Sequence, residues 1–301
     1  MALTSLDIIE HVEDLIDVDD ATTRLRILDF VNITGRDIWM AHPWPERHAE
    51  GTITTLAPYS TGTVSTSSAT VTGSGTTFPT TFTAALAKFS RSYDDPFYTV
   101  TTRDSATQLT LAENYLETAL SGATYVYFQD TYNLESDVDS LIDLRLQKQG
   151  ADGPLAGALE RRMDEAAYFS GRSGYPEAYA MVKQSSASLK RVRLWPAPDA
   201  QYRIKYRYLK SFTDMAADSA ESVIPESRRD LLICGTLRYA YRLKDEYQKA
   251  LAEEQLFGRL LKQHWEREKD EAPVRLRLGR YDRARGGPRY PFDLNTIGVP
   301  L

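Results

Sequence analysis

The chain of 301 residues carries 36 Lys and Arg against 42 Asp and Glu, for a formal net charge of −6, and contains one cysteine, Cys234. This length predicts about two domains with room for a buried core. A single cysteine excludes an intrachain disulfide and a multi-cysteine metal site. No apolar stretch is long enough to span a bilayer, and the N-terminus lacks the basic region of a secretory signal, so we expect neither export nor membrane insertion. The surrounding sequence LLICGTL favours a buried cysteine over a reactive thiol.

Two helices are predicted at the N-terminus. Thr4 and Asp7 have the spacing of a capping box, and an apolar stripe follows: Ile8, Ile9, Val12, Leu15 and Ile16. A second helix is predicted from about Ala21 to Met40. It ends before Pro43 and Pro45, because proline cannot donate a backbone hydrogen bond within a helix.

A Ser/Thr-rich block, residues 52–83, then predicts β-structure. Its segment GTVSTSSATVTGSGTTF (Gly62–Phe78) alternates β-branched or apolar residues with small polar ones. Further on, FYTVTTRDSATQLTL predicts two strands joined by a polar turn at Asp104, and ATYVYFQDTYNL predicts another strand. Residues 51–128 are therefore predicted to form an inserted all-β module, a small barrel or sandwich, which we call the β-module.

The next segments predict a helix and a hairpin. Residues 156–169 predict one short helix, and SLKRVRLWPAPDAQYRIKYRYL predicts a β-hairpin with its turn at WPAPDA. The second hairpin strand alternates Tyr202, Ile204, Tyr206 and Tyr208 with Arg203, Lys205 and Arg207. This alternation predicts one aromatic face and one cationic face. Because a nucleic-acid stacking platform keeps aromatics and cations together, a solvated cationic face is favoured.

An antiparallel helical hairpin is predicted near the C-terminus. Pro225 fits the first turn of a helix that carries Ile233 and Leu237, and a second helix continues toward Lys269 before Pro273 stops it. His264 lies on the apolar stripe of this second helix. We interpret it as a packed, hydrogen-bonded histidine and not a ligand.

Signals for chemistry are weak. His42, Glu46 and His48 could surround a metal, but two prolines interrupt any helix that would align them. The acidic run ESDVD, residues 135–139, alternates like calcium ligands without the glycine that such a loop needs, so a solvated face at a helix start is favoured. No catalytic residue, cofactor or metal ligand is assigned, and a non-enzymatic protein is predicted.

The order of the segments is more informative than any one of them. From about Gly35 to Asp245 they are GRDIWMAHPWP, the β-module, YFQDTYNLESDVDSLIDLRL, RLWPAPDAQYRIKYRYLKSF and VIPESRRDLLICGTLRYAYRLKDE. This order resembles the head-to-tail adaptor (connector) proteins of short-tailed bacteriophages. The resemblance implies a structural virion protein at the tail–portal junction, made in the host cytoplasm. It also implies a homo-oligomeric ring, commonly a dodecamer, beneath the portal, with a lumen for DNA ejection.

With this resemblance, the expected fold class is α+β: a helical-bundle core with a small β-hairpin, an inserted all-β module and an extended C-terminal arm. The expected division is residues 1–50 for the N-terminal helices of the adaptor core, 51–128 for the inserted domain, 129–271 for the rest of the core and 272–301 for the arm. The implied partners are the portal protein, the tail nozzle protein, tail fibres through the β-module and further copies of the chain. DNA is a partner only in transit, and no membrane is involved.

The arm is the expected binding site for the portal or a neighbouring subunit. Residues 1–20 hold seven acidic side chains and no Lys or Arg, whereas residues 273–301 hold six arginines against two aspartates. Arginine forks pair well with carboxylates, and aromatic side chains supply contact area. The predicted binding residues are Arg275, Arg277, Arg280, Tyr281, Arg283, Arg285, Arg289, Tyr290, Phe292, Leu294 and Ile297.

Two other classes of function stay open at this point. A carbohydrate-binding or glycan-hydrolysing tail protein would need two carboxylates converging in a cleft beside exposed aromatics. A nucleic-acid-binding protein would act through the arginine-rich arm and the Arg203–Arg207 face, with an affinity that falls steeply with salt. The acidic net charge argues against this second alternative as the main role.

Overall fold

A computed structural model of the chain describes residues 4–17, 21–93, 95–147, 155–161, 172–182, 189–216 and 220–271. Over these residues the protein is a mixed α and β structure with four α-helices and several sheets. The helices are α1 (Ser5–Ile16), α2 (Ala21–Ala41), α3 (Arg229–Leu243) and α4 (Tyr247–Glu271). None of these helices combines the length and apolarity needed to cross a membrane. The predicted arm, residues 272–301, lies outside the described residues.

The strands follow in chain order between α2 and α3. In the first half they are β1 (His48–Thr54), β2 (Thr63–Ser67), β3 (Thr70–Ser74), β4 (Ala87–Ser90), β5 (Tyr98–Ser105), β6 (Gln108–Leu111), β7 (Val126–Gln129) and β8 (Thr131–Asn133). In the second half they are β9 (Val138–Gln147), β10 (Leu155–Ala158), β11 (Glu160–Arg161), β12 (Ser173–Gly174), β13 (Ala178–Val182), β14 (Arg191–Trp195), β15 (Ala197–Pro198) and β16 (Arg203–Lys210).

The predicted helices at both ends of the chain are confirmed. The capping box forms as expected, since the Asp7 backbone N–H donates to Thr4 Oγ1 over 3.3 Å and the Thr4 N–H donates to the Asp7 carboxylate over 3.0 Å. α3 opens after Pro225 through a short 3-10 turn, and α4 folds back along it. All four helices contribute to one hydrophobic cluster, to which Ile8, Val31 and Leu231 belong.

The predicted β-structure of the β-module is also confirmed. A six-stranded sheet has the order β2-β3-β6-β5-β4-β7, and its two ends approach each other. Val64 on β2 and Ala123, just before β7, exchange two backbone hydrogen bonds of 2.9 Å each. The sheet therefore curves into a half-barrel around an aromatic-rich core that includes Phe78, Phe89 and Tyr127.

The predicted start of the β-module at residue 51 falls inside β1, whose residues belong to another sheet. β1 pairs with β16 as far as Thr54, and pairing within the half-barrel begins at Tyr59, opposite Tyr127 on β7. The chain enters and leaves the half-barrel at neighbouring points, because the Leu56 N–H donates to the Tyr132 hydroxyl over 3.2 Å. Adjacent ends of this kind are typical of a segment inserted into a surface loop.

The predicted β-hairpin is wrong, because its two strands lie in different sheets. β14 belongs to the sheet β11-β13-β14-β8, whereas β16 belongs to the sheet β1-β16-β9-β10. Both edges of β16 are occupied, by β1 and β9, so it has no free edge for β14. The two sheets share one hydrophobic cluster to which both Val192 and Tyr206 belong. The predicted alternation on β16 is confirmed, with Ile204, Tyr206 and Tyr208 buried.

Two further local predictions are corrected. The helix predicted at residues 156–169 is absent from its described part, where β10 pairs with β9 and β11 pairs with β13. Residues 162–171 lie outside the described residues. The acidic run 135–139 leads into β9 and does not start a helix. Asp137 accepts a hydrogen bond from the Tyr208 hydroxyl over 2.9 Å, and Asp139 pairs with Arg47 over 2.9 Å.

Gly235 on α3 lies at a point of close contact with α2 and α4, and its replacement tests this packing. A Cβ atom there would lie 2.4 Å from Thr34 Cγ2 and 2.9 Å from the Phe257 ring. We expect Gly235→Val to lower the free energy of unfolding by about 2 kcal/mol, since overpacking forces neighbours to shift. Gly258 on α4 is the control, because nothing lies within 4 Å of a Cβ at that position. Gly258→Ala should stabilise by about 0.5 kcal/mol; equal urea midpoints for the two variants would contradict this packing.

Candidate assembly interface

All of the predicted binding residues in the arm lie outside the described residues, but the structure describes the point from which the arm departs. α4 runs to Glu271, and its last turns pack beside the segment that connects α2 to β1. We call this junction the arm root and define it by Trp44, Glu46, Arg228, Trp265 and Glu268.

Arg228 is the centre of the arm root. Its side chain is 2% exposed, its Nη1 donates to Glu46 over 3.0 Å, and its Nη2 pairs with Glu268. The guanidinium carbon also lies 4.2 Å from the centroid of the Trp44 ring. One buried cation therefore holds α4, α3 and the α2–β1 connection together.

The residues considered for a metal site take other roles. His42 stacks on Trp265 with ring centroids 4.5 Å apart, and burial lowers its pKa. Glu46 is engaged by Arg228. In the part of the chain that the structure describes, no three potential ligands converge on a metal position.

The remaining residues that the sequence analysis singled out are structural. His264 Nε2 lies 3.0 Å from the Asp230 carboxylate, in agreement with the prediction of a hydrogen-bonded histidine. Cys234 is buried, and burial raises the pKa of its thiol to about 12. A thiol with this pKa is almost fully protonated at neutral pH and therefore a poor nucleophile.

The outward side of α1 is acidic. Asp7, Glu10, Asp14 and Asp17 are exposed and follow one another at intervals of three, four and three residues. This spacing keeps them on one side of the helix, opposite the buried stripe. Four of the seven acidic side chains in residues 1–20 thus lie on one side of α1.

Large apolar side chains are exposed on two other helical surfaces. Leu25, Ile33 and Met40 on α2 are 67%, 39% and 54% exposed. They are eight and seven residues apart, so they return to the same side of the helix about every two turns. A further set surrounds the turn between α3 and α4: Leu243, Tyr247 and Leu251. Asp29 and Arg36 are also exposed on this side of α2, so its surface mixes apolar and charged side chains.

The half-barrel is attached to the two-sheet core through charged and aromatic contacts. The Arg193 guanidinium on β14 lies 5.0 Å from the centroid of Phe97, and Arg193 Nε donates to Asp130 over 2.7 Å. Lys88 Nζ lies 5.8 Å from the same ring, and its burial lowers its pKa. These contacts join β4, β14 and the residue that precedes β5 at one place.

The cationic face of β16 is partly neutralised by neighbouring carboxylates. Arg207 Nη2 and Arg145 Nε lie 2.5 and 3.0 Å from the Asp143 carboxylate, and the Arg207 hydrogen bond holds the pKa of Asp143 below its usual range. Arg203 and Lys205 form no ion pair with any described residue.

Comparison with known proteins gives one family. Residues 80–278 match the family described as SU10 adaptor protein, so the match begins inside the half-barrel and extends through α4. No curated protein matches the chain. The match covers more than half of the chain and confirms the prediction of a phage head-to-tail adaptor, which is a structural component of the virion. The chain therefore belongs to the SU10 adaptor protein family.

Proposed function

We propose that the protein forms a ring beneath the portal and joins it to the tail nozzle and fibres, with a lumen through which DNA passes. The family match at residues 80–278 is the observation that carries this proposal. The four helices, which share one hydrophobic cluster, would be the helical-bundle core of each subunit. A ring of identical subunits needs two different surfaces on each copy that fit one another.

The exposed side chains of the helices supply candidates for those two surfaces. Leu25 and Met40 are exposed apolar side chains on one side of α2, and Tyr247 and Leu251 are exposed on α4. In the proposed ring the two sets meet between neighbouring copies. Burial of these side chains would contribute about 25 cal/mol for each Å² of apolar surface removed from water.

The experiment is native mass spectrometry, with particle imaging, of the protein bound to its portal. We expect many copies bound as a closed ring. The double variant Leu25→Asp/Met40→Asp should prevent ring closure without unfolding the chain, because both side chains are more than half exposed. Lys262→Asp, on an exposed part of α4, is the charge-matched control. A single bound copy, or only a two-fold dimer, would contradict the ring.

The half-barrel is proposed as the docking surface for tail fibres or other tail components. We predict that replacing residues 57–128 by a short Gly/Ser linker leaves the remaining protein folded, because Leu56 and Tyr132 are already in contact. Replacement of 51–128 is the control: it removes Gly51–Thr54 from β1 and should unfold the two-sheet core. Circular dichroism and ring formation are the measurements. Loss of fold in the first variant would show that the half-barrel belongs to the core.

A further inference from the structure

β1 has one open edge. All seven of its residues pair with β16 in continuous antiparallel register, from His48 opposite Leu209 to Thr54 opposite Arg203. No described strand pairs with its other side. Proteins usually protect such an edge with proline, lysine or a bulge, because its free N–H and C=O groups readily accept another strand. β1, with the sequence HAEGTIT and no register shift, has none of these devices.

The side chains of β1 specify what kind of strand would fit beside it. Ile53 is 4% exposed and Ala49 packs against the cluster shared by the two sheets, whereas Glu50 and Thr52 face outward and are exposed. A strand added at this edge must therefore alternate apolar residues, facing inward, with polar ones. Glu50 favours cationic residues on the outward side.

The beginning of the arm has this pattern. Residues 274–278 read VRLRL, so three apolar residues alternate with Arg275 and Arg277. The described strand β14, RVRLW, has the same alternation of arginine and apolar residues. A period of two residues predicts a strand with one apolar and one cationic side.

The arm also starts near the strand that it would pair with. Arg228 bonds both Glu46, two residues before β1, and Glu268, three residues before the end of α4. One guanidinium thus links the last turn of α4 to the segment just before β1. Residues 272 and 273 together span roughly 7 to 10 Å, at about 3.3 Å per extended residue. A chain that leaves α4 here and runs from the His48 end of β1 toward its Thr54 end lies parallel to β1.

We propose that residues 274–278 add to the open edge of β1 in the same copy of the chain, as a parallel strand. Its apolar side extends the cluster around Ile53, and its arginines lie beside Glu50. Residues 279–301 then depart from the Thr54 end of β1, which fixes the direction in which the rest of the arm reaches a partner. This inference goes beyond the proposed function and does not depend on ring formation.

Hydrogen exchange of the isolated full-length protein tests the pairing. Leu276→Pro removes a backbone donor from the proposed strand, and Leu294→Pro makes the same change elsewhere in the arm. Some backbone amides of β1, residues 48–54, point toward its open edge. We expect these amides to exchange on the order of tenfold faster in Leu276→Pro than in the unmodified protein. Leu294→Pro should match the unmodified protein. Equal β1 exchange in all three proteins would overturn the proposal.

Disulfide trapping tests which copy supplies the strand. Thr52→Cys and Arg277→Cys place both thiols on the outward side of the extended sheet, and Thr52→Cys with Thr296→Cys is the control pair. We expect the first pair to close a bond within one chain on the order of tenfold faster than the control. A bond between two chains would assign the strand to a neighbouring copy and overturn the same-copy proposal. Equal rates for the two pairs would overturn the pairing itself.

Discussion

Replacing Arg228 with alanine is expected to lower the free energy of unfolding by about 3 kcal/mol. The side chain is 2% exposed and pairs with Glu46 and Glu268, so its removal leaves two carboxylates near each other without their cation. It also removes the guanidinium that lies over the Trp44 ring. Because those carboxylates are 35% and 27% exposed, water compensates in part, and the loss should fall at the lower end of the range for a broken buried pair.

Arg242→Ala is the matched control for Arg228→Ala. Arg242 pairs with Glu254 over 2.6 Å, but the two side chains are 47% and 45% exposed. An exposed pair of this kind contributes below about 1 kcal/mol. Urea unfolding followed by circular dichroism measures both variants. Equal losses for Arg228→Ala and Arg242→Ala would show that the arm root does not stabilise the fold.

Features set by neighbouring residues were predictable from the sequence. The capping box of α1 is a contact between Thr4 and Asp7, three positions apart, and the end of α2 follows from Pro43. The alternation on β16 needed only the period of two residues along one strand. In each case the signal and the structure lie within the same few residues.

The pairing of strands was not predictable in this way. The turn sequence WPAPDA fits a hairpin, yet it carries the chain from β14 in one sheet to β16 in another. β16 pairs instead with β1, for example Tyr206 with Gly51, and no local pattern connects segments so far apart in the chain. The same reason explains residues 155–158, whose strand conformation is determined by pairing with β9 and not by helix propensity.

For the candidate assembly interface, the sequence indicated which residue types the arm contains but not how the arm root is built. The charge and aromatic content of residues 272–301 indicated a binding arm, and that assignment stays a prediction. The arm root escaped sequence reasoning because Glu46, Arg228 and Glu268 come from three distant segments. A buried arginine with two carboxylates has no spacing signature in the sequence.

Truncation after Glu271 is expected to leave a soluble, helical protein that attaches weakly to the portal. The fold should survive because Glu268, which pairs with Arg228, lies before the cut. Within the lost segment, residues 279–301 contain four arginines and several aromatic and aliphatic side chains that would anchor the arm. Two anchors of about 2 kcal/mol each would reduce affinity by roughly a thousandfold. Co-sedimentation with the portal measures this loss.

Replacing the four arginines after residue 278 with lysine provides a control at constant charge. Lysine keeps the attraction to carboxylates but cannot form the two-pronged hydrogen bond, so attachment should weaken less than on truncation. Hydrogen exchange supplies an independent measurement: residues 279–301 should exchange fast in the free protein and slowly in the portal complex. Fast exchange in both states, with attachment unaffected by truncation, would assign the hold on the portal to the helices. The truncated chain keeps α2 and α4, so it should still form a ring. Ring formation without portal attachment would show that the truncation removes the arm contact and not subunit assembly.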